Sequence, residues 1–371
     1  MKYVFFSLYL LLSTGLFAQE NSNLVYHNAD TFRIMGRGFT ELDWKKVSSA
    51  PYRDSATYTR LPWSQKEEFR PELWDLGLHS AGITVRFRSN STTIGVQWSV
   101  RSGFGMNHFA ATGVRGVDLY VLEGSEWRYA ATGIPASGKV NEKVLITEMN
   151  NTEKEFMLHL PLYDGVVKLA IGIDSTAKID APANPLPLSE KPIVCYGTSI
   201  TQGGCASRPG MAYPAIISRI LQREVINLGF SGNGRMDVLI GEMMTQIDAG
   251  AYIVDCLPNC TYEMIKDLGY DFLKNMVMAS PNIPLFMVEH VITPAATFSK
   301  AEAERIQKKN QTWRSIHERL CNEGMNNIFY IPAQALLGED SEATVDGIHL
   351  TDLGFLRMAK ELSKVLASAL E

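Results

Sequence analysis

Four short segments in the second half of this 371-residue chain carry side chains suited to acyl chemistry. Gly197-Thr198-Ser199-Ile200-Thr201-Gln202 offers a hydroxyl in a turn of small residues, and Asp346-Gly347-Ile348-His349 offers a carboxylate and an imidazole three positions apart. A hydroxyl becomes a nucleophile when a base takes its proton and an acidic group orients that base. The three-residue spacing lets Asp346 reach one nitrogen of His349 while the other faces Ser199. Between these two segments lie Asn227-Leu228-Gly229-Phe230-Ser231-Gly232-Asn233-Gly234 and Asp255-Cys256-Leu257-Pro258-Asn259. Charge developing on a carbonyl oxygen needs fixed donors. The N–H of Ser199, the N–H of Gly232, which has no Cβ to hold a ligand away, and the Asn259 amide can supply them. Singly, each segment reads as a turn, an anion nest or a helix cap. Only their conjunction points to a serine hydrolase with catalytic residues Ser199, Asp346 and His349.

The elements that carry these segments alternate strictly. Beyond residue 191, apolar strand-like runs at 193–197, 225–228, 251–257, 283–288 and 328–331 are interleaved with helical stretches at 212–221, 238–247, 263–278, 301–322 and 353–370. Such alternation predicts a parallel sheet covered on both faces by right-handed crossovers. Ligands of such sheets bind beyond the carboxyl ends of the strands, where three of the segments lie; the fourth immediately precedes the last helix. Thr201 stands where a nucleophile elbow of the α/β-hydrolase kind needs a second glycine. The glycine-rich loops show neither the phosphate-loop pattern nor the dinucleotide spacing.

The first half has a different period. Ile83, Val85 and Phe87 alternate with polar neighbours, as do Ile94, Val96, Trp98 and Val100, then Val117, Leu119 and Val121, then Phe156, Leu158 and Leu160. Turn signals at Ser89-Asn90, Glu123-Gly124-Ser125 and Tyr163-Asp164-Gly165 separate these runs. Residues 19–180 therefore read as a β-sandwich of jelly-roll type. The proline-bearing stretch 181–191 reads as a stiff linker, and 192–371 as the catalytic domain.

With those residues in view, 192–371 resembles the SGNH (GDSL-like) hydrolase superfamily, whose four motif blocks fall in order on Ser199, Gly232, Asn259 and the Asp346/His349 pair. The first block reads Gly-Thr-Ser in place of Gly-Asp-Ser, and the third reads Leu257-Pro258-Asn259-Cys260 where many members have Gly-x-Asn-Asp. Upstream, Gly116-Val117-Asp118-Leu119-Tyr120 resembles the GxDLY-type domain that precedes some bacterial members. The resemblance implies a flavodoxin-like three-layer α/β/α domain behind the β-sandwich. It also implies ester hydrolysis without a metal or other cofactor.

Composition narrows the partners. Hydrophobic residues make up 46% and charged residues 20%, with a net charge of −5. There is no basic surplus for nucleic acid. After the N-terminus no apolar run reaches the ~18 residues of a membrane span, so no integral membrane association is expected. Lys2, the apolar run 3–12 and a small-residue cut after Ala18 read as a signal peptide over 1–18, implying export to the periplasm or beyond. Of five cysteines, Cys195 and Cys256 lie in apolar runs, while Cys205 and Cys260 follow catalytic loops and leave a disulfide open. No His-x-x-x-His or Cys-x-x-Cys spacing is present, so no metal site is expected.

Candidate substrate contacts are Asn107 and His108, in a glycine-bearing loop of the sandwich, together with Gln202, Arg208, Asn233, Arg235 and Glu289 near the strand ends. Arg208 and Arg235 either hold a substrate carboxylate or pair with an acidic neighbour. Trp63, Trp74, Trp98, Trp127 and Tyr129 bring aromatic faces that can stack on sugar rings, although Trp98, in phase with Ile94 and Val96, reads as core. The expected substrate is a short acyl ester, an O-acetyl group on a carbohydrate. The alternatives are a lipase, thioesterase or arylesterase for longer chains, or a glycan-binding protein with a vestigial hydrolase half.

Overall fold

The computed structural model describes residues 24–37, 58–183 and 191–370. The signal-peptide reading of 1–18 and most of the linker, 184–190, lie outside the described residues. The first half forms two antiparallel sheets. One is ordered β1-β9-β4-β7, from β1 (Leu24–Asn28), β4 (Ile94–Val100), β7 (Val140–Ile146) and β9 (Val166–Asp174). The other is ordered β10-β3-β8-β5-β6, from β3 (Thr84–Ser89), β5 (Val117–Glu123), β6 (Glu126–Gly133), β8 (Lys154–His159) and β10 (Ile179–Asp180), with β2 (Arg33–Met35) also pairing with β3. The alternating residues that predicted these strands, among them Val85, Phe87, Val96, Trp98, Leu119 and Leu158, form one buried core. Trp98 is part of it, its indole N–H satisfied by the Arg115 carbonyl at 2.9 Å.

The second half is a five-stranded parallel sheet in the order β12-β11-β13-β14-β15. Its strands are β11 (Ile193–Gly197), β12 (Val225–Gly229), β13 (Ala251–Asp255), β14 (Leu285–Val288) and β15 (Ile328–Ile331). β11 to β14 are buried at every position, because helices cover both faces and leave no polar side to alternate. The three longest helices start where short polar side chains cap them. Thr261 accepts from the Met264 N–H ahead of Tyr262–Ala279, and Ser299 accepts from the Glu302 N–H ahead of Lys300–Asn322. Thr351, not Asp346, accepts from the Gly354 N–H at the start of Asp352–Leu370, which leaves Asp346 free for other work.

The two halves interlock. Residues 58–78 leave the sandwich: Leu61, Phe69, Leu73 and Trp74 share a core with Val194, Tyr196 and Leu228 of the parallel-sheet layer. Trp63 meets Trp74 edge-on at 5.1 Å, so both tryptophans serve packing and not sugar stacking. Arg60, fully buried, donates to the carbonyls of Leu76, His79, Asn227 and Gly229. Burial draws its pKa down to about 9. Nothing in the spacing around Arg60 marked it, yet it ties the exit of β12 to the N-terminal half. A second tie uses the Gly-x-Asp-Leu-Tyr segment. Asp118, wholly buried, accepts from Arg208, from the Gly210 N–H and from the Thr132 hydroxyl, at 2.9, 2.9 and 2.7 Å. Among the described residues no helix is long and apolar enough to cross a membrane.

Candidate active site

Ser199 opens a short helix, Ser199–Gln202, directly after β11. Thr198 caps that helix by accepting from the Ile200 N–H at 3.2 Å, and a first-turn N–H has no acceptor within its own helix. The Ser199 N–H is thereby left for a ligand. His349 Nε2 lies 3.0 Å from Ser199 Oγ, and His349 Nδ1 lies 2.7 Å from Asp346 Oδ2. The other Asp346 oxygen accepts from the backbone N–H groups of Ile348 and His349 at 3.0 and 2.8 Å. Partial burial works against its charge. The hydrogen bonds from the His349 ring and the two N–H groups prevail and hold the carboxyl at about 2. Asp346 is thus an anion throughout the neutral range, fixed on the far side of the imidazole. Ser199 itself is 6% exposed. Gly204 packs so close that a Cβ would stand 3.1 Å from His349 Cδ2 and 2.7 Å from the Tyr163 hydroxyl.

The loops after β12 and β13 flank this group, because Gly197 is in register with Gly229 on one side and Asp255 on the other. Gly232 has φ +67, which a side chain tolerates poorly, and open space where a Cβ would be. Asn259 ends the turn Leu257–Asn259; its Oδ1 accepts from the Gly234 N–H at 3.2 Å, which commits the amide's oxygen and leaves its NH2 to donate. The N–H of Ser199, the N–H of Gly232 and the Asn259 amide thus come from neighbouring loops at one end of the sheet.

The remaining candidates divide. The loop bearing Asn107 and His108 reaches across from the sandwich, and His108 lies over the site with its ring centroid 5.9 Å from that of His349. His108 Nε2 is 3.9 Å from Asp346 Oδ2, and its Nδ1 is 3.0 Å from Asn107 Oδ1. Arg235 is exposed. The others are engaged elsewhere. Gln202 is wholly buried, donating to the Leu162 carbonyl and His79 Nδ1 and accepting from the Ser231 N–H, so it braces two loops. Burial, with Arg60 nearby, drops the His79 pKa to about 3 and keeps the ring neutral, and the Gln202 NH2, which can only donate, makes Nδ1 the lone-pair acceptor. Asn233 accepts from Arg70 at 3.0 Å, and Arg70 in turn grips Asp237. Arg208 pairs with Asp118 and Tyr120 and lies over the Tyr129 ring at 3.9 Å, its acidic-neighbour alternative. Glu289 is buried against Arg314, Tyr330 and the Ala333 N–H at the far strands. Gln202, Asn233, Arg208 and Glu289 are therefore structural, because each already spends its polar atoms on the protein.

One group escaped the sequence reading, and another, Cys205, entered it only as a disulfide candidate. Asp255 closes β13 fully buried; the Thr201 and Tyr213 hydroxyls donate to it at 3.1 Å each, and burial raises its carboxyl to about 7. Cys205 adopts φ +72 beside Asp346 and His349. Burial, followed by the Asp346 charge, pushes its thiol up to about 11. Cys205 and Cys260 are both free thiols with different neighbours, Cys260 pointing to the Cys256 and Gly234 carbonyls. Although the spacing pointed to no metal site, His108, Cys205, Asp346 and His349 place four metal-capable atoms within 4.8 Å of one another.

The GDSL-like Lipase/Acylhydrolase family matches residues 190–367, and the GxDLY family, the N-terminus of SGNH-hydrolase-type esterases, matches residues 39–179. Among solved structures, a candidate GDSL-like lipase from Bacteroides ovatus is 34% identical, with 94% of this chain and 98% of that one covered and a TM-score of 0.85. A salicylyl-acyltransferase from a tetracycline biosynthetic pathway shares 15% identity over 84% of this chain and 89% of its own, with a TM-score of 0.64. A family two carbohydrate esterase from Clostridium thermocellum, solved with cellohexaose, shares 11% identity over 78% and 92%, with a TM-score of 0.53. These last two are likenesses of fold. No curated protein sequence matches the chain. The motif blocks, the order of the parallel sheet and the full-length match to the Bacteroides ovatus protein agree: the chain belongs to the GDSL-like lipase/acylhydrolase (SGNH) family, an ester hydrolase domain behind a GxDLY-type β-sandwich.

Proposed function

We propose that this hydrolase is an exported esterase that removes short acyl groups, O-acetyl above all, from carbohydrates through an acyl-enzyme on Ser199. The observation that carries the mechanism is the unbroken chain from Asp346 Oδ2 to His349 Nδ1, at 2.7 Å, and from His349 Nε2 to Ser199 Oγ, at 3.0 Å. His349 takes the Ser199 proton as Oγ attacks the ester carbonyl. The oxyanion receives hydrogen bonds from the N–H groups of Ser199 and Gly232 and from the Asn259 amide. His349 then passes the proton to the departing sugar hydroxyl, leaving an acyl-serine. Water repeats the sequence with His349 as base, releasing the carboxylic acid and restoring the serine.

The short-acyl reading is supported by what surrounds the nucleophile. Gly204, Asn259, Gly232 and His108 around it are small or polar. The carbohydrate reading is supported by the likeness of fold to family two carbohydrate esterases, and by the sandwich loop that brings Asn107 and His108 over the site.

Hydrolysis of p-nitrophenyl acetate and p-nitrophenyl octanoate by the folded protein, beside Ser199→Ala, tests both parts. Acetate cleavage that falls about 10³-fold or more in the variant is expected. Preference for octanoate would replace the acetyl reading with the lipase one, and equal rates in the variant would remove Ser199 from the mechanism. Release of acetate from acetylated polysaccharides tests the carbohydrate assignment. The N-terminal sequence of the secreted protein tests cleavage after Ala18.

A further inference from the structure

We infer that the mouth of this active site is a binding site for a borderline divalent cation, zinc by preference, held by His108, Cys205, Asp346 and His349 and inhibitory to hydrolysis. The four ligand atoms come from three separate places: the sandwich loop, the turn after the nucleophile helix, and the segment before the last helix. They already lie within 4.8 Å of one another. Tetrahedral zinc with bonds of about 2.0–2.3 Å sets its ligand atoms roughly 3.3–3.8 Å apart. The His108 Nε2 to Asp346 Oδ2 separation, 3.9 Å, is close to that value.

Orientation supports the same conclusion. Asn107 Oδ1 can only accept, so His108 donates Nδ1–H to it. In the neutral ring the Nε2 lone pair then faces the Asp346 carboxylate oxygen across the gap. Two electron-rich atoms facing each other are suited to a cation between them. The hydrogen bond that fixes the tautomer is the outer-shell support that metal-bound histidines usually have. One thiolate, two imidazoles and one carboxylate form a mixed donor set suited to zinc, and one that magnesium and calcium, which prefer oxygen, do not favour.

Binding has a cost in catalysis. The cation displaces the Cys205 thiol proton to solvent and forms a sulfur–metal bond. Where His349 Nδ1 is the ligand, binding also separates it from Asp346 Oδ2, since their present 2.7 Å contact is too short for two ligands of one metal. Metal on His349 Nε2 removes the base that faces Ser199. Metal on Nδ1 forces the ring proton onto Nε2, with the same result. The inhibition rests on the esterase reading; the binding does not.

Two measurements on the full chain keep these apart. Cobalt(II) added anaerobically to Ser199→Ala is expected to give a thiolate-to-cobalt charge-transfer band in the near ultraviolet and intense tetrahedral bands in the visible. The charge-transfer band should vanish in Ser199→Ala/Cys205→Ser, although Cys195, Cys256, Cys260 and Cys321 remain. Zinc is expected to inhibit p-nitrophenyl acetate hydrolysis at micromolar free concentration, reversibly by chelation. Cys205→Ser, unchanged in activity without metal, should need at least about tenfold more zinc. His108→Gln is the second variant, should the serine variant fail to fold; it should weaken cobalt binding while keeping the charge-transfer band. Absence of the band, or zinc inhibition equal in Cys205→Ser, overturns the site. A cobalt band in a protein that hydrolyses no ester would sustain the site and count against the esterase reading instead.

Discussion

Asp118→Ala tests why an acidic residue stands at the centre of the Gly-x-Asp-Leu-Tyr segment. The carboxylate is wholly buried and accepts three hydrogen bonds, two of them from Arg208 and Gly210 in the loop that follows the nucleophile helix. Both pKa values rise, which favours the charged form of Arg208 and disfavours that of Asp118. Burial works against Arg208, but the oxygens of Tyr120 and Asp118 outweigh it and raise its pKa. Asp118 loses more to burial than Arg208, Gly210 and Thr132 return, so its pKa is also raised. The pair as a whole therefore adds little net stability, yet breaking it is expensive. Truncating one member of a buried pair costs about 3–5 kcal/mol, because the other charge and its donors are stranded. Asp118→Ala should therefore lose roughly 4 kcal/mol, read from urea unfolding followed by tryptophan fluorescence and far-ultraviolet circular dichroism. Adding Arg208→Met removes the stranded cation and should recover about half of that loss, leaving the Gly210 N–H unpaired. A loss below about 1 kcal/mol for the single variant, or no recovery in the double, would refute the claim that this segment clamps the two halves together.

The other expectations concern the triad and the acid behind it. Asp346→Asn keeps the side chain's size but removes the anion that holds the imidazole tautomer; kcat for p-nitrophenyl acetate should fall about 10²–10⁴-fold with KM little changed. Asp255→Asn should flatten the dependence of stability on pH. A carboxyl whose folded pKa, about 7, stands above its unfolded value adds no penalty at low pH and loses stability progressively as pH rises to about 7. The variant should match the wild type near pH 4 and exceed it by up to about 4 kcal/mol at pH 8, measured by urea unfolding at each pH. Equal pH profiles would show that Asp255 is not the buried acid described.

Much of this protein was legible in its residues taken in order. Alternation with a period of two around Val85, Val96 and Leu119 predicted paired sheets, and unbroken apolar runs such as Ile193 to Gly197 predicted a parallel sheet closed on both faces, because local periodicity reports which sides of an element are buried. Ser199, Gly232, Asn259 and the Asp346/His349 pair stood out because the chemistry demands those residue types and strand ends are where such sheets bind ligands. What the order of residues did not decide was which polar groups remain free. Gln202, Arg208, Asn233 and Glu289 have the chemistry of substrate contacts, and each is spent on partners 25 to 163 positions away or on a remote carbonyl. Arg60 and Asp255 carried no local signal, and Cys205 was read only as a disulfide candidate, since burial of a charge, the rise of a carboxyl and the meeting of a thiol with two imidazoles are created only when separate segments pack. His108 was a candidate by its loop, but its place over His349 comes only from the docking of one half on the other. Local pattern fixes the elements because it acts between near neighbours; the site's final donors, acceptors and charges depend on contacts that exist only in the folded chain.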